Sequence, residues 1–156
     1  MKNLLLLLLV SVLIFSGCKK DEPAGNADVT SISITVNYSD WEPYSGDRYS
    51  GWEVERNVSE ITDELISNGA IMVYEKYDGH YTALPYTQSY EDISVTNYFS
   101  FKPGKIFLGI QYNWEIIYNG EPPTIEYKVV FIENITSKSL NLGDYEEVKE
   151  YYNLVD

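Results

Sequence analysis

Between Asp40 and Trp52 the chain gathers Asp40, Trp41, Glu42, Tyr44, Asp47, Tyr49 and Trp52 in one stretch interspersed with Pro, Ser and Gly. Sugar rings stack on indole and phenol faces, and carboxylates accept hydrogen bonds from sugar hydroxyls, so these residue types suit a glycan site. Asp40, Glu42 and Asp47 are also hard oxygen donors of the kind calcium takes. Their spacing matches no EF-hand loop, and no metal site is assigned to them. A twisted hairpin whose aromatic residues cap the end of a β-sandwich accounts for the same stretch without a ligand.

Catalytic chemistry has less to stand on. The chain has one histidine, His80, and one cysteine, Cys18. Zinc and copper sites need clustered His, Cys or carboxylate ligands, so no metal and no cofactor is expected. His80 follows Asp78-Gly79 and reads as an exposed residue at the tip of a turn. Nucleophile–His–acid catalysis would need His80 beside a Ser or Thr, and no Gly-x-Ser-x-Gly elbow is present. Glycoside hydrolysis needs only two carboxylates, so a small glycoside hydrolase is the third reading. With 24 acidic residues, however, candidate pairs are everywhere and none is singled out. Glu115 falls on the opposite side of a strand from Tyr112 and Trp114 and reads as solvated. The expectation is a protein that is not an enzyme.

Cys18 sits in a distinctive setting. Met1-Lys2-Asn3 is followed by an apolar run from Leu4 to Phe15, the small pair Ser16-Gly17, then Cys18 and Lys19-Lys20-Asp21-Glu22-Pro23. As a helix the apolar run would rise ~18 Å, short of the ~30 Å hydrocarbon core, and it fits a secretory signal peptide. The segment Phe15-Ser16-Gly17-Cys18 resembles the lipobox of bacterial lipoproteins, with Phe15 where that family most often has Leu. The resemblance implies that the Cys18 thiol receives a diacylglycerol, that the chain is cut just before it, and that the new amine is acylated. Two or more acyl chains hold a protein stably where one binds marginally, at roughly 0.8 kcal/mol per buried methylene. Lys19-Lys20-Asp21-Glu22 resembles the charged export signal of surface lipoproteins in Bacteroides-type bacteria. It implies lipid anchoring in the outer membrane with the domain exposed on the cell surface. A plain polar tether facing the periplasm is the alternative.

These boundaries divide the chain into a removable signal peptide at residues 1–17, a polar tether at 18–28 and one domain at 29–156. A chain of this size can bury a core without staples. With Cys18 lipidated, no disulfide can form. Loss of Lys2 moves the formal charge from −13 to −14, because residues 1–17 contain no acid. Such a surface repels phosphate backbones and anionic headgroups, so nucleic acid is not an expected partner and the tether must do the anchoring. The expected partners are the membrane through Cys18, and a glycan or another envelope protein. The 15 Tyr, 3 Trp and 5 Phe exclude disorder for most of the chain and favour β structure.

Period-two alternation recurs along the domain. Ile32, Ile34, Val36 and Tyr38 share a face. So do Ile93, Val95, Phe99 and Phe101. Ile106, Leu108, Ile110, Tyr112, Trp114, Ile116 and Tyr118 form the longest stripe, and Ile125, Tyr127, Val129 and Phe131 the last. Trp52, Val54 and Val58 mark a weaker strand. Asp78-Gly79 predicts a type I′ hairpin pairing Tyr77 with His80, Glu75 with Thr82 and Val73 with Leu84. Lys102-Pro103-Gly104-Lys105 predicts a type II turn. Two short helices are expected, one over Ile61–Asn68 closed by Gly69 in the left-handed region, the other capped by Asp144 with Glu147 three residues on.

Many short strands and little helix predict an all-β fold, an antiparallel sandwich of immunoglobulin-like or fibronectin-like architecture, with a small β-barrel as the alternative. The segments from Ile61 to Ala70, Tyr81 to Tyr86, Tyr127 to Ile132 and Asp144 to Tyr152 resemble a group of Bacteroides-type lipoproteins with no assigned activity. That resemblance implies no functional residues. The functional expectation is a non-enzymatic envelope lipoprotein with a binding or structural role, and a carbohydrate-binding lipoprotein is the alternative. Cells grown with a labelled fatty acid should mark the wild-type protein and leave Cys18→Ala unlabelled. Label retained on the variant would refute lipidation at this residue.

Overall fold

A computed structural model describes residues 28–46, 49–91, 93–113, 122–133 and 140–155. Cys18, Asp47, Trp114, Glu115, Ile116 and Tyr118 lie outside the described residues. The chain folds into two antiparallel sheets and two short helices: β1 (Val29–Val36), β2 (Glu42–Ser45), β3 (Ser50–Asn57), α1 (Asp63–Asn68), β4 (Ala70–Tyr77), β5 (His80–Ala83), β6 (Tyr86–Tyr90), β7 (Ile93–Lys102), β8 (Lys105–Tyr112), β9 (Ile125–Ile132) and α2 (Tyr145–Tyr152). The first sheet has the order β1-β9-β4-β5, the second β2-β3-β8-β7-β6. The expected all-β sandwich is what forms.

The alternating stripes meet between the sheets. Ile34, Val36, Val73, Val129 and Tyr127 of the first sheet pack with Val54, Ile106, Leu108 and Ile110 of the second. Turn chemistry sets the local registers. Asp78 and Gly79 both take positive φ, 48° and 78°, and Tyr77 pairs with His80 and Glu75 with Thr82. Gly104 takes φ 76° in the turn between β7 and β8, where the Pro-Gly pair demands it.

Three local features differ from the sequence reading. Helix α1 begins at Asp63, because Thr62 is its N-cap and accepts a hydrogen bond from the Leu65 amide. Gly69 is extended, at φ −118°, so it is not a left-handed cap. A side chain there would put its Cβ 2.4 Å from the Ile132 carbonyl oxygen, so close approach to β9 is what requires glycine. At α2 the Asp144 carboxylate accepts from the Glu146 and Glu147 amides, but the Glu147 carboxylate accepts from Asn141 rather than closing the box on Asp144.

A second apolar layer lies on the far side of the first sheet. Tyr74, Val130 and Ile132 project there and are buried under Tyr145 and Val148 of α2. The Tyr145 ring sits 5.0 Å from Tyr74 and 4.1 Å from Tyr81. The Tyr74 hydroxyl donates to the Leu142 carbonyl at 2.7 Å, which fixes the segment leading into the helix. Strand β9 is consequently covered on both faces.

The fold has a polarity. Val29 pairs with Ile132, and Ala70 pairs with the same residue, so Asp28 enters at one end of the first sheet. At that end the Lys102–Lys105 turn is bonded to Val58 and Ile61 through Gly104. The β2–β3, β4–β5 and β6–β7 turns lie at the opposite end. Strand β1, eight residues long, spans roughly 26 Å between the two ends.

One carboxylate is half-buried between the sheets. Glu75 faces inward beside Tyr127, and the Tyr86 hydroxyl donates to its Oε2 at 3.0 Å. Burial pushes the Glu75 carboxyl above its ordinary value of 4.5, with the Tyr86 hydrogen bond opposing. A raised folded-state value stabilises the fold fully below pH 4.5, and that contribution disappears as pH rises through the raised value. Glu75→Gln should therefore melt higher than wild type at neutral pH, with the difference closing below pH 4.5. Tyr86→Phe should cost about 1–3 kcal/mol at neutral pH by orphaning the carboxylate. Melting curves from pH 4 to 7 check both; a Glu75→Gln difference independent of pH would contradict the desolvation.

Candidate functional site

The stretch from Asp40 to Trp52 divides into parts with different surroundings. Trp41 is 5% exposed and belongs to the core, and its indole N–H donates to the Pro123 carbonyl at 3.3 Å. Neither ring face is open to a ligand, so Trp41 closes the edge between the sheets. Asp40 is engaged as well. Its Oδ2 accepts from the Asn37 amide at 3.0 Å and from Arg56 Nη2 at 2.7 Å. The Asn37 backbone contact, helped by the Asn37 side chain and Arg56, holds the Asp40 carboxyl below its usual range against partial desolvation. Asp40 thus ties the turn before β2 to β3. Tyr49 is exposed at the hairpin.

The remaining residues come together. Pro43 pairs with Trp52, Tyr44 with Gly51, and Ser45 with Ser50. On the next strand Trp52 pairs with Ile110 and Ser50 with Tyr112. These residues line an open cleft of about 290 Å³ at the end opposite Asp28, bounded by Pro43, Tyr44, Ser45, Ser50, Gly51, Trp52 and Tyr112. The small residues shape it. Short side chains at Ser45 and Ser50 leave space beside Trp52 and Tyr112, while the Tyr44 ring fills the place above Gly51. Pro43 tolerates the edge of the sheet because β2 is the outermost strand.

On the outward face of the same sheet, Glu42 stands opposite Glu53, and Gly109 opposite both Glu53 and Tyr98. Two tyrosines lie across two glycines here. A Cβ on Gly51 would meet Tyr44 Oη at 2.8 Å, and a Cβ on Gly109 would meet Tyr98 Cζ at 2.3 Å. The Tyr98 hydroxyl donates to Glu53 Oε2 at 2.9 Å and stands 3.4 Å from the Tyr44 hydroxyl. Desolvation, reinforced for Tyr98 by Tyr44 and the Glu53 carboxylate, pushes both phenols upward, so both keep their protons at neutral pH.

Of the sequence candidates, Tyr44 and Trp52 both line the cleft, Trp52 from the core side of the sheet and Tyr44 from the outward face that it shares with Glu42, while Trp41, Asp40 and Tyr49 stand apart from it. Tyr112, Tyr98, Glu53 and the two glycines were not among those candidates. Each is far from Tyr44 in sequence or lies on a strand read only for its core face. A signal did exist: an isolated Gly inside a strand, as at Gly109, marks a place where another group approaches the backbone. His80 is exposed at the β4–β5 turn, as read. Among the described residues, no group of three or more His, Cys, Asp or Glu is placed to hold a metal ion.

No family model matches this chain, and no match is found among curated proteins or solved structures.

The cleft depends on Gly51. A Cβ there would lie 2.1 Å from the Ile110 carbonyl oxygen, a backbone atom of the neighbouring strand, as well as against the Tyr44 ring. Gly51→Ala should destabilise the domain by about 1–3 kcal/mol through forced displacement of β3 or Tyr44. Thermal unfolding checks this; an unchanged melting temperature would mean that the hairpin absorbs the methyl without strain.

Proposed function

We propose that this chain is a lipid-anchored envelope protein, held through Cys18 and displaying one non-enzymatic β-sandwich domain that binds carbohydrate. The observation that carries the binding reading is the aromatic cleft at Trp52, Tyr44 and Tyr112. It gathers the aromatic residues Trp52 and Tyr112 with the hydroxyls of Ser45 and Ser50 across the paired strands β2 and β3. At about 290 Å³ it is at the small end of ligand sites, the scale of one sugar ring rather than a large cofactor. Among its described lining residues there is no carboxylate pair, which favours binding over glycoside hydrolysis.

Polarity supports display. A tether ending at Asp28 joins the domain at the end opposite the cleft, so a lipid on Cys18 would leave the cleft turned away from the membrane. Lys19 to Glu22 favour the cell surface as the place where it is turned outward.

Titration calorimetry of the detergent-solubilised protein against neutral mono- and oligosaccharides tests the reading. Trp52→Ala is expected to weaken binding at least ~10-fold. Trp52→Phe, which preserves packing against the core, should weaken it less, and Tyr38→Ala, exposed elsewhere, should leave it unchanged. Failure of every sugar to bind the folded wild-type protein would sink the proposal.

A further inference from the structure

The cleft does not end at Tyr44. Tyr44, on the edge strand β2, lines it, and its ring lies across Gly51 on the outward face of the sheet, where its hydroxyl meets Tyr98. Beyond stands a platform in which the Tyr98 ring rests on Gly109 and its hydroxyl is held by Glu53. The missing side chain at Gly109 lets the ring lie down on the sheet rather than stand up from it. The arrangement is fixed at both ends, by the glycine below and the carboxylate beside it. Helix α2 covers the other sheet, and among the described elements none packs on this face.

We infer that Tyr98, Tyr44 and Glu53 form a second sugar subsite continuous with the cleft, and that the ligand is a neutral oligosaccharide that passes over the β2–β3 edge. The inference rests on the carbohydrate reading of the cleft and adds ligand length and charge to it. A flattened ring with a carboxylate at its rim is the pairing a pyranose needs: an apolar face to stack on and an acceptor for its hydroxyls. The preference for a neutral chain follows from charge. Glu42 and Glu53 are directly paired across the strands on this face, and the whole chain carries a formal −13. A uronate passing this face would meet like charges at short range.

The experiment compares ligand lengths on the full chain in detergent. Cello-, xylo-, manno- and malto-oligosaccharides of one to six units are titrated, with oligogalacturonates as the anionic comparison. In the neutral series that binds, affinity should rise ~10-fold between one unit and three, the size of one good aromatic contact. Tyr98→Phe and Glu53→Gln should each move the ratio of trisaccharide to monosaccharide affinity toward one. Glu53→Gln should also narrow the gap between neutral and uronate ligands. Trp52→Phe should lower affinity at every length and leave that ratio in place. Single-sugar binding with no gain from length, a gain that survives both Tyr98→Phe and Glu53→Gln, or uronates bound as tightly as neutral chains would each overturn the second subsite. Absence of any sugar binding would instead remove the cleft reading on which it rests.

Discussion

Strand β9 is the constraint on which the rest of the domain depends. It lies second in its sheet and is buried on both faces, with Val129, Val130, Phe131 and Ile132 all at 2% exposure or less. One face completes the core between the sheets; the other is the floor on which α2 rests. Its neighbours β1 and β4 come from the start and middle of the described chain, so its hydrogen bonds are satisfied only when three distant segments meet. Four consecutive apolar residues are what a strand without a solvent face requires. The extended backbone at Gly69 follows from the same crowding, since only a residue without Cβ passes the Ile132 carbonyl.

The second sheet obeys a looser rule, and there the site arises. Its inner face is core, but its outer face has no helix over it among the described elements. Large residues on that face have no layer to pack into, and they lie instead on bare backbone at Gly51 and Gly109. Filling the space above a glycine with the ring of its cross-strand neighbour shields the strand beneath it. The same geometry that shields the sheet produces the arrangement proposed as a stacking surface.

Charge is handled differently inside and out. The half-buried Glu75 accepts from one phenol and sits at a height in the sandwich where Tyr86 can reach across from the opposite sheet. The exposed ion pairs Lys76–Glu126 and Arg56–Asp40 tie neighbouring elements, and as partly exposed pairs they contribute little each. Other described acids, Glu42, Glu60 and Glu64 among them, are exposed. This explains why counting carboxylates in the sequence could not nominate a site: most serve solubility, and the few with structural work are identified by their partners.

What the sequence by itself determined is local. Alternation named the inner faces of β1, β7, β8 and β9, because side chains on a strand reverse direction at every residue. Asp78-Gly79 and Pro103-Gly104 set two registers, because positive φ is a property of the residue. The acidic charge and the lone thiol at Cys18 are likewise read without a fold. Tertiary structure decided what depends on meeting across the chain. It put Trp41 into the core and left Trp52 at a cleft, although both are tryptophans in one short stretch. It turned Val130 and Ile132 from an expected outer face into a second core, because α2 covers them. It brought Tyr98 and Glu53 to Tyr44 through strand pairings that no local pattern encodes. Burial is a relation between distant segments, and a one-dimensional pattern specifies which residues can be covered but not which ones are.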